Sequence, residues 1–505
     1  MNGGTVAGEA ALAVRGLGRR ALSLGAANAF DYAIQFVLPV VLVRYLDPVA
    51  FGQYRLLWLA VGTVMAIVTQ AMAGSLYYFL PRSPHGATKR LYINQTLLYL
   101  AVAGLIGAWS VSSWNPWLPD KIRDLAQHEI IVPAFVLLWV VASLLDLIAT
   151  AEERVAWQAK ATVGLSVLRT MALSLSVIMT RQLEPVLWAL LAFVGFKVAL
   201  LLFYVARHHG LRGPLLRRRE FSDQLKQSAP FGASGALYGL RTQADQWVAS
   251  SLFSVGLFAS FSIAAVLGPL VQVCRQSVLH AFLPSVSRLQ AAKNIPGMIE
   301  LNSRANIMVA GLVYPLLGFA FAFSQEIVTV IYTTAYADAA SVMRIYIVGL
   351  AALVVELATI LLLLRQGAFT LMLGLAMLIV SVAISWGAAQ RFGLAGAALG
   401  SVTVIYIDLI ATLWRISACT GIPLRRLQDW RSLGKLLLSA VLAALLAWSM
   451  VNRHIAGDAS LLRLSAGGLI LATTYCVTAL LFGTCRDWFA AIRAAGTDYT
   501  SWRES

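Results

Sequence analysis

Apolar residues run along this chain in stretches of about twenty, the length needed to cross a bilayer as a helix. Short polar or Pro/Gly-marked turns such as Pro81-Arg82-Ser83-Pro84 separate them. The pattern predicts fourteen membrane spans. The first six are Ala21 to Val43, Leu56 to Leu80, Leu91 to Val111, Ile130 to Thr150, Ala161 to Thr180 and Pro185 to Ala206. The next six are Ala229 to Ser250, Gly256 to Leu283, Ile307 to Phe323, Val342 to Leu364, Ala368 to Trp386 and Gly393 to Trp414. Lys435 to Val451 and Leu461 to Phe482 complete the set. An all-α polytopic membrane protein is therefore expected. The first run contains Asp31 and lacks a small-x-small cleavage pattern, so it is read as a retained span and not a signal peptide.

Charge orients the ladder. Of 39 Lys and Arg residues, about 26 fall on one side and about eight on the other, and the richer side is cytoplasmic by the positive-inside rule. Arg15, Arg19, Arg20, the 207–226 loop and the 415–435 loop lie there, and an even number of spans places both termini with them. The localisation expected is a bacterial inner membrane. The net charge of +16 then reports topology, and no soluble segment is long enough for a nucleic-acid-binding domain.

The chemistry of enzymes is missing. No G-x-x-x-x-G-K-[ST] loop is present to cradle a nucleotide phosphate, and no H-E-x-x-H or G-x-S-x-G occurs. The four cysteines, Cys274, Cys419, Cys476 and Cys485, have no metal-ligand spacing. No catalytic activity, cofactor, metal or disulfide is expected, and an ion gradient or the membrane potential is left as the driving force.

The chain also repeats. After the first span comes Tyr45-Leu46-Asp47-Pro48-Val49-Ala50-Phe51-Gly52-Gln53-Tyr54; after the seventh comes Leu252-Phe253-Ser254-Val255-Gly256-Leu257-Phe258. Six spans separate them, so an even-numbered unit is duplicated and both copies point the same way. Two like-oriented six-helix lobes around a central cavity follow, residues 1–226 and 227–414, with a connector, spans 13 and 14 and a cytoplasmic tail in 415–505.

The stretch Leu42 to Tyr54 resembles the L-x-R-x-L-G-P-x-x-F/Y-G-x-Y motif of the multidrug/oligosaccharidyl-lipid/polysaccharide exporter superfamily, specifically its Wzx-type flippases. Phe282-Leu283-Pro284-Ser285-Val286-Ser287-Arg288, Ile331-Tyr332 through Tyr336, and Gly393-Leu394-Ala395-Gly396-Ala397-Ala398-Leu399-Gly400 extend the likeness over roughly residues 20–414. Asp47 departs from it, standing where the family usually has Gly. The resemblance implies a V-shaped transporter whose first, second, seventh and eighth helices line the cavity, and which moves polyprenyl-pyrophosphate-linked sugars outward. Membrane lipids, a polysaccharide polymerase and a chain-length regulator are the partners it suggests.

Ionisable groups inside spans mark pathways or pairs, because a charge in hydrocarbon costs ~2.5–3.5 kcal/mol or more. Asp31 lies about ten residues into the first span, roughly 15 Å deep, with Gln35 on the same face. Gln70, Gly74, Tyr77 and Tyr78 make a polar stripe on the second helix. Tyr238, Arg241 and Asp245 share a face of the seventh, where Arg241 and Asp245 either pair or divide into an anion contact and a proton site. On the eighth, Gln272, Arg275 and Gln276 sit below an expected kink at Gly268-Pro269, and Arg275 is the foremost phosphate contact because a guanidinium matches a pyrophosphate bidentately. Asp146 is expected to pair with Arg169 across neighbouring helices. Glu356, in the middle of the tenth helix, either finds a cation across the bundle or stays protonated. Asp31, Asp245 and Glu356 are the ion-coupling candidates.

Three readings compete: a lipid-linked oligosaccharide flippase, a lipid II flippase of the MurJ type, and a multidrug cation antiporter of the same superfamily. Arg241 and Arg275 favour an anionic substrate over a cationic one. A pure assembly scaffold gives no reason for Asp31 and Glu356 within the membrane.

Overall fold

The computed structural model describes residues 25, 27, 30–83, 86–117, 123, 128–210, 213–455 and 459–483, without the side chains of 69–71, 231, 277, 279–281, 283 and 284. Among the described residues the secondary structure is helical throughout. Ten of those helices are long and apolar enough to cross a membrane. Rejoining helices divided by short breaks, dividing Gly367–Thr420 at Gly393 and adding residues 30–45 and the 35-residue Arg218–Leu252 gives fourteen helical segments along the expected spans. Two compact units divide the chain, Met1–Gln243 and Ala244–Ser505.

Within the first unit the second span is Pro48–Met72, a 3₁₀ turn Ala73–Ser75 and Leu76–Arg82. The third is Gly86–Ser110 and the fourth is Ile131–Ala142 followed by Leu145–Ala151. Val155–Thr180 and Leu183–His209 are the fifth and sixth. Leu80, Ile93, Leu100, Leu144, Ile148 and Leu201, from four spans, close a shared apolar core. Asp47 settles the entry to the second span. Its φ of −69° requires no glycine, and its carboxylate accepts from the N–H groups of Val49 and Ala50 at 2.8 and 2.9 Å, ahead of Pro48 in the first turn. Ser254 occupies the matching place before Val255–Ala264, where its hydroxyl accepts from Leu257 N–H.

In the second unit Val255–Ala264 and Leu267–Ala291 form the eighth span and Ile295–Ala322 the ninth. The break in the eighth falls at Ala265–Val266, ahead of the expected Gly268-Pro269. Pro269 sits in the first turn of the new helix, where its missing N–H has no intrahelical partner to lose. The tenth span is Ala339–Ala352, a non-helical stretch and Ala358–Leu363. Glu356 therefore lies in a break and not within a continuous helix.

Spans 11 and 12 are the two arms of Gly367–Thr420, folded at Gly393, whose φ of 64° and ψ of −145° belong to glycine alone. The motif that opens span 12 is explained by contact. A Cβ on Gly396 would lie 2.1 Å from the Ala388 carbonyl, and one on Gly400 2.4 Å from that of Ser381, so the arms meet backbone to backbone. Spans 13 and 14, Trp430–His454 and Ser460–Leu481, pack on the ninth span and on the short helix Ser324–Tyr332. Gly467 lies against the Phe323 ring, Tyr475 donates to Gly311 O, and Arg463 reaches Glu326 at 3.0 Å.

Candidate functional site

The sequence-derived candidates fall into separate clusters. In the first unit Asp31 and Gln35 share a face as expected, Gln35 Nε2 donating to Asp31 Oδ2 at 2.7 Å. The other carboxylate oxygen accepts from the Ser166 hydroxyl and lies 3.7 Å from the Arg169 guanidinium, both on the fifth span. Asp31 is thus the partner of Arg169, which overturns the expected Asp146–Arg169 pair. Asp146, just past the break in the fourth span, instead meets Lys197 of the sixth, Nζ to Oδ2 2.8 Å. The ammonium also lies 5.1 Å from the centre of the Trp139 ring. Adjacent spans in sequence were the wrong guide here, because the fourth span packs along the sixth.

On the second span Tyr77 and Tyr78 are exposed, and the Arg82 guanidinium stacks on Tyr78 at 3.6 Å. The side chain of Gln70 lies outside the described residues. On Arg218–Leu252, Tyr238 is exposed and the Arg241 guanidinium stands 5.7 Å from the centre of its ring. Asp245 differs from both. It is 2% exposed, and its carboxylate accepts from the Tyr346 hydroxyl at 2.7 Å, from Ser401 and from the N–H of Gln246.

The densest cluster surrounds Glu356. Arg275 Nη2 lies 2.9 Å from Glu356 Oε2, and Nη1 donates to the Leu353 carbonyl at 2.9 Å. Both partners are largely buried, so Glu356 has found its cation across the bundle. The break that carries it leaves main-chain groups unmatched, which hydrocarbon does not tolerate. Side chains supply the partners. Asn302 Nδ2 donates to Glu356 O at 2.8 Å, Asn306 Oδ1 accepts from Glu356 N–H at 3.1 Å, and Glu356 Oε1 accepts from Ala358 N–H at 2.8 Å. Asn306 continues to Gln428 Oε1 at 2.9 Å, and Gln428 donates to Ser303 O. Gln272, half-buried, and Gln276, exposed, flank Arg275 on its helix.

Sequence reasoning missed Asn302, Asn306, Gln428 and Ser166. The signal for the two asparagines was their i, i+4 spacing. It was hidden because the ninth helix begins at Ile295, twelve positions before its apolar run, so both appeared to lie in a loop.

At the turn between the fourth and fifth spans, Glu152 accepts from Tyr204 OH at 2.5 Å and lies 2.5 Å from His209 Nε2. Burial pushes its carboxyl up, but the bonds from His209 and Tyr204, with the nearby Arg154 charge, outweigh that and hold it below the usual carboxylate range.

A family model described as "Polysaccharide biosynthesis protein" matches residues 17–290. The solved structure of the lipid II flippase MurJ in an inward closed conformation is similar with a TM-score of 0.66 at 12% identity, covering 91% of this chain and 98% of that one. A Vibrio cholerae MATE transporter, VcmN, gives 0.53 at 12% identity over 81% and 97%. A MOP superfamily transporter from Pyrococcus furiosus gives 0.51 at 14% identity over 79% and 96%. These likenesses show the fold. No curated protein sequence matches the chain.

Proposed function

The chain belongs to the polysaccharide biosynthesis protein family, and from that premise we propose that it is a flippase carrying a polyprenyl-pyrophosphate-linked oligosaccharide from the cytoplasmic to the periplasmic leaflet. It serves exopolysaccharide or O-antigen synthesis in a bacterial inner membrane, with both termini cytoplasmic. The observation that carries the reading is the Arg275–Glu356 pair. A guanidinium within the membrane is held by a carboxylate on a broken helix, so a pyrophosphate can replace that carboxylate with equal geometry and more charge. The carboxylates also argue against a cationic drug as substrate: Asp31, Asp146 and Glu356 each already face a cation of the chain.

Transport proceeds by alternating exposure of the substrate site to the two sides of the membrane. In the second unit Arg275 holds the phosphates beside Gln272; in the first, Arg241, Gln35, Tyr77 and Tyr238 are the candidates for polar parts of the cargo. Each charge crossing 100 mV is worth ~2.3 kcal/mol, so an anionic headgroup leaving a negative interior moves downhill. Release of Glu356 from Arg275 frees a carboxylate to take up a proton, and Asp31 and Asp245 are the other coupling candidates.

A proteoliposome assay of lipid-linked oligosaccharide flipping tests the reading. Arg275→Gln is expected to abolish flipping, and at least one of Asp31→Asn, Asp245→Asn and Glu356→Gln to remove its dependence on a pH gradient. Wild-type rates in Arg275→Gln at equal protein content refute the phosphate role. Unaltered gradient dependence in all three carboxylate variants refutes the coupling role.

A further inference from the structure

Between the end of span 12 and the start of span 13 the second unit contains a cleft of about 600 Å³, a volume typical of small-molecule sites. Ile407, Ile410 and Trp414 form one wall, Leu424 and Trp430 the other, and the rim carries Arg425. Apolar side chains facing lipid are ordinary in a membrane protein. The concavity and its fixed walls are not. The Trp430 indole N–H donates to Leu424 O at 3.2 Å, closing the connector on itself. Gln428 and the N–H of Asp429 tie that connector to Ser303 of the ninth span, and Leu427 is buried beneath it.

The rim is electrostatically one-sided. Arg425, Arg426 and Arg431 lie within seven positions, with Asp429 engaged in capping the following helix through Ser432 N–H. Among the described residues the Arg425 guanidinium has no hydrogen-bond or ion-pair partner. Two tryptophans at the mouth mark the headgroup level, and by charge bias this connector is cytoplasmic, where the leaflet is anionic.

We propose that this cleft holds an acyl chain of an acidic membrane phospholipid, with the lipid phosphate met by Arg425. The lipid is a resident ligand and not cargo, so the inference stands apart from the flippase reading. The test is native mass spectrometry of the full chain in detergent with equimolar phosphatidylglycerol and phosphatidylcholine. Wild type is expected to retain phosphatidylglycerol preferentially, and Arg425→Gln to retain about fivefold less of it, the factor associated with one cationic side chain at an anionic surface. Ile410→Trp, which fills the cleft, is expected to lose both lipids at an unchanged thermal midpoint. A phosphatidylglycerol with a diazirine in its tail is expected to label the peptide containing Ile407 to Trp414 in the wild-type protein, a readout independent of any variant's folding. Equal retention of the two lipids, undiminished phosphatidylglycerol in Arg425→Gln, labelling confined to other peptides, or displacement by polyprenyl phosphate at lower concentration would each overturn the proposal.

Discussion

The two units carry the same turn with different chemistry. After the fourth span the chain reverses through Glu153, φ 63°, with Arg154 N–H donating to Ala149 O; after the tenth it reverses through Arg365, φ 56°, with Gln366 N–H donating to Leu361 O. Arg181 and Gly393, which join the next pair of spans in each unit, have positive φ as well, and both pairs of positions are 212 residues apart. Each first turn is then fastened to the end of the last span of its repeat. In the first unit the fastener is Glu152 with Tyr204 and His209; in the second it is Gln366 Oε1 accepting from Arg415 Nε and Nη2 at 3.0 and 2.8 Å. The two turns share a backbone device and differ in the side chains that fasten it, so one fastener carries a titratable carboxyl and the other does not.

The broken spans diverge in the same manner. In the first unit the cation is buried and the anion open, Lys197 being 6% exposed as a residue and the Asp146 side chain 58%. In the second, Arg275 and Glu356 are both enclosed, at 16% and 9% of their side chains, and both touch the main chain of the break. Glu356→Leu is therefore expected to cost ~3–5 kcal/mol, the penalty of leaving a buried guanidinium unpaired. Asp146→Leu is expected to cost about half as much, because the Lys197 stem can carry its ammonium out to the surface that Asp146 occupied. Thermal and denaturant unfolding in one detergent measures both, and equal losses would erase the distinction between the two breaks.

A smaller effect separates the hinge residues. Gly393→Ala is expected to destabilise by ~1–3 kcal/mol, since φ 64° with ψ −145° is closed to residues with a Cβ. Arg181 has φ 54° and ψ 25°, the ordinary left-handed well, so Arg181→Gly is expected to stabilise by about 1 kcal/mol or less. The same unfolding measurement checks the opposite signs.

The least of the three is the response to pH. Glu152 has a folded pKa below its unfolded value near 4.3, so its contribution is complete above that value and disappears as pH falls through the folded one. Glu152→Gln is expected to be ~1–2 kcal/mol less stable than wild type at neutral pH, with the gap closing below about pH 4. Gln366→Ala in the second unit is expected to show a loss that does not vary over that window. A pH-independent gap for Glu152→Gln would show that the two fasteners do not differ in this way.

The apolar runs were enough to reveal a helical membrane protein, because crossing hydrocarbon demands length and composition that few other segments possess. The interruption of the tenth span was not legible. Leu353-Val354-Val355-Glu356-Leu357 reads as helix by hydropathy, and the break there is held by partners distant in sequence, Asn302, Asn306 and Arg275. Gly268-Pro269 was legible as an interruption, and the break stands at Ala265–Val266, one turn before the proline, where its ring would meet the carbonyl of residue 265 in a continuous helix. Asp31 and Gln35 met as their four-residue spacing implied, since that relation is internal to one helix. Their third and fourth partners, Ser166 and Arg169, depended on packing that no local pattern encodes.

The interruption at Leu353–Leu357 works as a keyed joint. Its main-chain N–H and C=O groups are seated in side chains from two other helices, and one of those side chains is the guanidinium that also neutralises Glu356. Drawing Arg275 away strips a carbonyl and a carboxylate of the same partner at once. The fold of this elbow and the pairing of its carboxylate therefore rest on a single guanidinium, and a change at Arg275 is expected to loosen both together.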